Sequence, residues 1–243
     1  MIDHAVVVSL FAGASIGLGG ALGSLVRDRR AAAIASALGF SAGAVMGIHA
    51  LKAWPVALGA AGYGWSAVGF AGGIGIMALL HRVLVHRRSP SHAATVQQRW
   101  LNAGLLALSG IALHNIMDGL GIGAGFAHEA KLGWLMAAAV LLHNLPVGML
   151  IGVPLCLAHV PTARIVGYTL LAGLFTPLGA GLGMIAGLGS PLGMALGLVL
   201  ASGSLFYVIG RELLPMALAK DRLGTAAGIA LGLIAAAVLE AWL

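Results

Sequence analysis

The apolar stretches of this sequence follow one another with only short polar breaks, and that spacing leaves the chain almost one choice of fold. Eight stretches are long enough to cross a bilayer as helices, which takes roughly 20 residues each. They are Val6–Leu25, Ala31–Leu51, Trp65–Val85, Trp100–Phe126, Trp134–Ala158, Ala163–Leu188, Leu192–Leu218 and Leu223–Leu243. No soluble domain fits between them. In hydrocarbon every backbone N–H and C=O must find its partner within the chain, and helices achieve this segment by segment. The expected fold is all-α: a polytopic membrane protein of eight transmembrane helices in a single domain over residues 1–243. Composition agrees, because only 8% of residues are charged where a soluble domain carries about 25%. The 38 glycines suit helices whose backbones approach closely without a hydrophobic drive.

Basic residues set the orientation. Connections after spans one, three, five and seven hold Arg27, Arg29, Arg30, Arg87, Arg88, Arg99, Arg164, Lys220 and Arg222. The other three loops hold only Lys52 and Lys131. The positive-inside rule puts the first set in the cytoplasm and both termini outside. The net charge of +6 is thus a topology signal, and no nucleic-acid partner is expected. The N-terminus, Met1-Ile2-Asp3-His4, lacks the basic region of a signal peptide. Cys156, the only cysteine, excludes an internal disulfide and a thiolate metal cluster.

Within this apolar frame one phrase occurs twice. Leu113-His114-Asn115-Ile116-Met117-Asp118-Gly119 recurs 29 residues later as Leu142-His143-Asn144-Leu145-Pro146-Val147-Gly148. Span four, entering from the cytoplasm, reaches His114 after about 14 residues, or roughly 21 Å. Span five, entering from outside, reaches His143 after about 10 residues, or roughly 15 Å. Antiparallel neighbours then bring both histidines near the bilayer centre. Polar and ionisable groups at that depth are expensive, costing about 2.5–3.5 kcal/mol each on insertion scales, and mark function.

His114 and Asp118 are four apart and share a helix face. Imidazole nitrogen with carboxylate oxygen suits zinc, iron, manganese, nickel or cobalt better than sodium or calcium. Asn115 and Asn144 either hydrogen-bond between helices or offer carbonyl ligands. Pro146 frees the Leu142 carbonyl, which either kinks the helix or exposes an acceptor beside His143. Glu212, near the cytoplasmic end of span seven, pairs with Arg211 or sits among headgroups. Met46 is an ordinary packing methionine by its surroundings; His49 and Lys52 share its face and approach the outer mouth. Glu240 is expected to be solvated at the outside end, and the histidines of the His86–His92 loop are a weak hint of metal loading. Two glycine series, Gly13, Gly17, Gly19, Gly20 and Gly23, then Gly179, Gly181, Gly183 and Gly187, read as packing surfaces.

These residues together resemble the ZIP family of divalent metal transporters, above all its prokaryotic branch, where both motifs read approximately His/Gln-Asn-x-Pro-Glu-Gly. The resemblance covers most of the chain. Ser41–Met46 looks like the family's second span and Gly203–Pro215 like its seventh, with Glu212 in the glutamate-leucine-x-proline position. It implies a binuclear midplane site: Met46, His114, Asp118 and His143 for the primary ion, and Asn115, Asn144 and Glu212 for an auxiliary one that Asp118 bridges. It also implies that spans one, four, five and six shift against two, three, seven and eight to move metal inward. Homodimers are common in the family, and no motif here fixes an interface.

The departures are informative. Asp118 stands for the usual glutamate, Met117 for the span-four proline, and His143 where glutamine is frequent. Val147 stands where the second glutamate belongs, and Met216 replaces a glutamate that often follows the span-seven proline. Valine neither ligates nor bridges, so the expected site holds one metal. The sequence therefore predicts a divalent metal-ion carrier of the bacterial inner membrane, zinc first by ligand type, with no required cofactor and no enzymatic activity. Without a phosphate-binding loop it is a secondary carrier, and its uptake is expected to fall at acidic pH. Two rivals stay open: a metal-binding sensor or scaffold that does not transport, and an intramembrane metal-dependent hydrolase.

Overall fold

The computed structural model describes residues 2–26, 29–88, 95–185 and 191–242. Arg27, residues 89–94 with His92, and Gly187 lie outside the described residues. All regular structure among the described residues is helical: α1 (Ile2–Ser24), α2 (Ala31–Ile48), a π turn (His49–Ala53), α3 (Trp54–Arg88), α4 (Val96–His128) and α5 (Ala130–Leu157) come first. Then follow α6 (Thr162–Gly173), α7 (Phe175–Gly183), α8 (Pro191–Val208), a second π turn (Ile209–Leu213), α9 (Leu214–Lys220) and α10 (Arg222–Trp242).

Seven helical runs among the described residues are long and apolar enough to cross a membrane. One of them, Ala31–Val83, has 53 residues, which at 1.5 Å per residue is roughly 80 Å, against a hydrocarbon core of about 30 Å. The expected loop between Leu51 and Trp65 is helical, because the π turn carries α2 straight into α3. The run is interrupted instead at Gly62, whose φ of 71° and ψ of 174° belong to a region that only glycine enters readily.

Span six also differs from expectation. Its hydrogen-bond ladder is interrupted at Leu174, whose backbone stays helical (φ −66°, ψ −16°) between α6 and α7, where Pro177 has no N–H to offer the Gly173 carbonyl. Span four, by contrast, is one unbroken helix, α4, as the loss of proline at Met117 predicts. Its N-terminus is capped by Thr95, whose Oγ1 accepts from the Gln98 amide at 3.2 Å. The extended backbone of Glu129 reverses the chain directly into α5.

The helices sort into two groups. α1, α4, α5, α6 and α7 pack on one another, α1 chiefly on α5 and α4 on both α5 and α7. On the other side α2 packs on α10 and α3 on α8, and the groups meet mainly where α4 touches α8 and α2 touches α5. Glycine sets the close approaches. A Cβ at Gly19 would meet the Leu145 carbonyl and Gly148 Cα, and one at Gly23 the Val153 amide, so α1 lies backbone to backbone on α5. Gly179 and Gly183 bring α7 equally close to α4 at Ile116 and Leu120, whereas no described residue lies against Gly181. Large apolar side chains such as Phe11, Leu18, Leu79, Leu171 and Ile234 stay exposed on the outside of the bundle, which suits hydrocarbon as a solvent.

Candidate metal site

The repeated motif places three kinds of side chain in three directions. In the first copy Asn115 donates through Nδ2 to the Ala172 carbonyl of α6 at 2.9 Å. In the second, Asn144 donates to the Ala12 carbonyl of α1 at 2.8 Å. The closing glycines sit against the same neighbours: a Cβ at Gly119 would strike the Thr176 carbonyl, and one at Gly148 the Ile16 carbonyl. Asparagine and glycine thus fasten α4 to α6 and α7, and α5 to α1. The histidine one step around from each asparagine is left facing the gap between α4 and α5.

There His114 and His143 meet, their ring centroids 5.7 Å apart and tilted by 52°. Asp118 lies between them. Its Oδ2 is 3.1 Å from His143 Nε2 and 3.3 Å from His114 Nε2. One ligand atom from each of the three residues falls within 4.8 Å of the other two. In a tetrahedral shell with bonds of ~2.0 Å, ligand atoms stand ~3.3 Å apart, so both oxygen-to-nitrogen separations match edges of such a shell. His114 Nδ1 is buried with no hydrogen-bond partner among the described residues. The carboxylate is 8% exposed, and its ion-pair partners among the described residues are two imidazoles, with no lysine or arginine. Two nitrogen donors and one anionic oxygen in a dry gap suit a borderline-soft divalent cation.

These three residues line a cavity of about 150 Å³ together with Val147, Met117, Met136, Val140 and, from α2 and the first π turn, Val45 and His49. Val147 therefore shares the cavity of His114, Asp118 and His143 with a side chain that cannot ligate. The cavity reaches toward Lys52 and Glu240, which form an ion pair at 3.3 Å. Glu240, expected to be solvated, is held by Lys52 and is only 18% exposed.

Other residues singled out in the sequence go elsewhere. Met46 packs on the main hydrophobic core and is not among the cavity-lining residues. His49, three residues on, takes that place, and its spacing from Met46 was the one sequence signal for it. Glu212 lies in the second π turn and pairs with His81 of α3 at 3.4 Å. It is not in the His114 cluster. His81 also meets the Tyr207 hydroxyl at 2.9 Å; nothing in the sequence had pointed to it. Asn115 and Asn144 are spent on interhelical bonds, although the Oδ1 of each is buried without a partner among the described residues.

Comparison with known proteins follows the same line. The family model described as ZIP zinc transporter matches residues 80–240. The zinc transporter ZupT of Corynebacterium glutamicum is 29% identical over 238 residues, covering 90% of each chain. ZupT of Chlorobaculum parvum is 29% identical over 230 residues, 86% of each chain. The zinc transporter GufA of Myxococcus xanthus is 31% identical over 137 residues, 56% of this chain and 54% of its own.

Proposed function

We propose, from the premise that this chain belongs to the ZIP zinc transporter family, that the divalent ion it carries is zinc, and that zinc passes toward the cytoplasm through His114, Asp118 and His143. The chain is a divalent metal-ion transporter and a multi-pass membrane protein, not an enzyme. The observation that carries the site assignment is the convergence of these three side chains within 4.8 Å at a cavity between two long apolar helices. Zinc as the cargo is supported by the N, N, O donor set and by the names of the relatives. No cofactor is required, since the ion is the substrate itself.

We read the seven apolar runs as eight crossings in a single domain of the inner membrane. The 53-residue run supplies two, divided at Gly62. An even number of crossings places both termini on one side, and the basic residues between spans put that side outside. The denser packing within the α1, α4, α5, α6 and α7 group than across to α2, α3, α8 and α10 supports relative movement of the two groups around the site. In this reading Asn115 and Asn144 hold the moving helices together, Val147 leaves room for a single ion, and Glu212 with His81 lies apart from the ion site.

Uptake into proteoliposomes tests the proposal, with zinc, iron(II), manganese, cobalt and nickel offered to the wild type and to Asp118→Ala. Saturable zinc flux lost in the variant is the expected result. Absence of flux for every metal, from folded and inserted protein, would overturn it in favour of a sensor or scaffold.

A further inference from the structure

We infer that His49 is a fourth ligand of the carried ion, supplied from the opposite group of helices. The inference rests on the reading of His114, Asp118 and His143 as the ion site. His49 opens the first π turn, is 3% exposed and lines the same cavity as those three residues. Its ring centroid is 5.2 Å from that of His114. Single-turn π insertions are rare and fall often at functional sites, and this one begins at the only residue of its turn with an imidazole.

Hydrogen bonding decides which ring nitrogen is free. His49 Nδ1 is 2.6 Å from Ser202 Oγ. Ser202 Oγ in turn lies 2.8 Å from the Leu198 carbonyl and donates to it. A hydroxyl has one hydrogen, so with that hydrogen committed to Leu198 the serine oxygen accepts from His49. The proton then resides on Nδ1, and Nε2 carries a bare lone pair. That Nε2 is buried and has no hydrogen-bond partner among the described residues. A buried acceptor left unpaired is costly. Fixing one ring nitrogen through an outer partner while the other stays free is how metal-binding imidazoles are oriented. Ser202 is thus a positioning residue, held by α8.

His49 stands outside the tight group formed by the other three, so ligation draws the two helix groups together around the ion. The resulting set is three imidazole nitrogens and one carboxylate oxygen, which replaces the thioether expected from Met46 and matches tetrahedral zinc or cobalt.

The test uses the full chain purified in detergent, with cobalt(II) alone as the probe, followed by its visible absorption and by equilibrium titration. The wild type is expected to bind cobalt with the intense bands of a four-coordinate ion. His49→Ala should weaken binding by ~100-fold or more, and Ser202→Ala by ~10-fold, in the range for an outer partner, with recovery in Ser202→Thr. His49→Cys should keep the ion and add a thiolate-to-cobalt charge-transfer band absent from the wild type. Asp118→Ala serves as the control for the site itself. If Asp118→Ala abolishes binding while folded His49→Ala and His49→Cys leave affinity and spectrum unchanged, His49 only packs, and the transporter reading survives. If His49→Ala does not fold, a His49→Cys protein without the new band overturns the inference by itself. Should the wild type bind neither cobalt nor zinc, this inference and the proposed site fall together.

Discussion

The two copies of the repeated motif share two of their functions and differ in the third. Asn115 and Asn144 each donate to a carbonyl on a neighbouring helix, and Gly119 and Gly148 each lie against a neighbouring backbone. At the fourth position after the histidine, the first copy presents Asp118 to both imidazoles, and the second presents Val147, 1% exposed, to the same cavity. The comparison teaches that the phrase is first a helix-packing device, on which a carboxylate is mounted or left out. Duplication keeps α4 and α5 symmetrically fastened, while one substitution sets how much charge the site can answer. With one carboxylate a divalent ion stays under-compensated unless further donors approach, and unpaired charge in a dry interior costs several kcal/mol.

Substitutions made in parallel in the two copies can break or sharpen this comparison. The largest effect is expected from Gly119→Val and Gly148→Val. Each drives a side chain into a backbone carbonyl that cannot move aside, at or beyond the upper end of the ~1–3 kcal/mol typical of overpacking. Both should yield little folded protein on thermal unfolding in detergent, and tolerance of one alone would break the symmetry. Next come Asp118→Asn and Val147→Ala. Removing one partner from a buried charge cluster costs at least ~3 kcal/mol, equivalent to roughly a hundredfold in binding. Zinc affinity should fall by that factor in the first variant and stay near wild type in the second.

Acidification is expected to act through both imidazoles at once. Zinc requires neutral histidine and ionised Asp118, so protons compete with the metal as the pH falls through the reference imidazole range of about 6.5. Uptake at fixed free zinc should drop between pH ~8 and ~5.5; a flat profile would remove the histidines from the transport step. The smallest effects belong to Asn115→Ala and Asn144→Ala. Each should lower stability by about 0.6–2 kcal/mol, the value of an interhelical hydrogen bond in membranes, and leave zinc affinity unchanged. A loss of affinity in either would make that asparagine a ligand.

How much of this was legible in the sequence depends on whether a feature is local. The pairing of His114 with Asp118 follows from four-residue spacing on α4, and the approach of His143 follows from the repeat and antiparallel neighbours. The helix runs follow from hydropathy. The π turns do not, because a π turn changes which face a residue presents without changing composition. Resemblance pointed to Met46 at the primary site, whereas it is His49, at the start of the first π turn, that lines the cavity. The same is true of Glu212, where resemblance pointed to the midplane and the second π turn gives it to His81. That contact joins residues 131 apart in sequence, through the packing of α3 on α8, which no periodicity encodes. The interruption at Leu174 was not read from the sequence, because a proline inside an apolar run, as Pro177 is, does not by itself say whether the helix yields.

The central claim, that Asp118 without a partner carboxylate at Val147 defines a single-ion site, is tested most directly by counting zinc bound per chain in the wild type and in Val147→Glu. The account predicts one ion in the wild type and two in the variant, with tighter binding of the first. Two ions in the wild type, or an unchanged count and affinity in Val147→Glu, would contradict it.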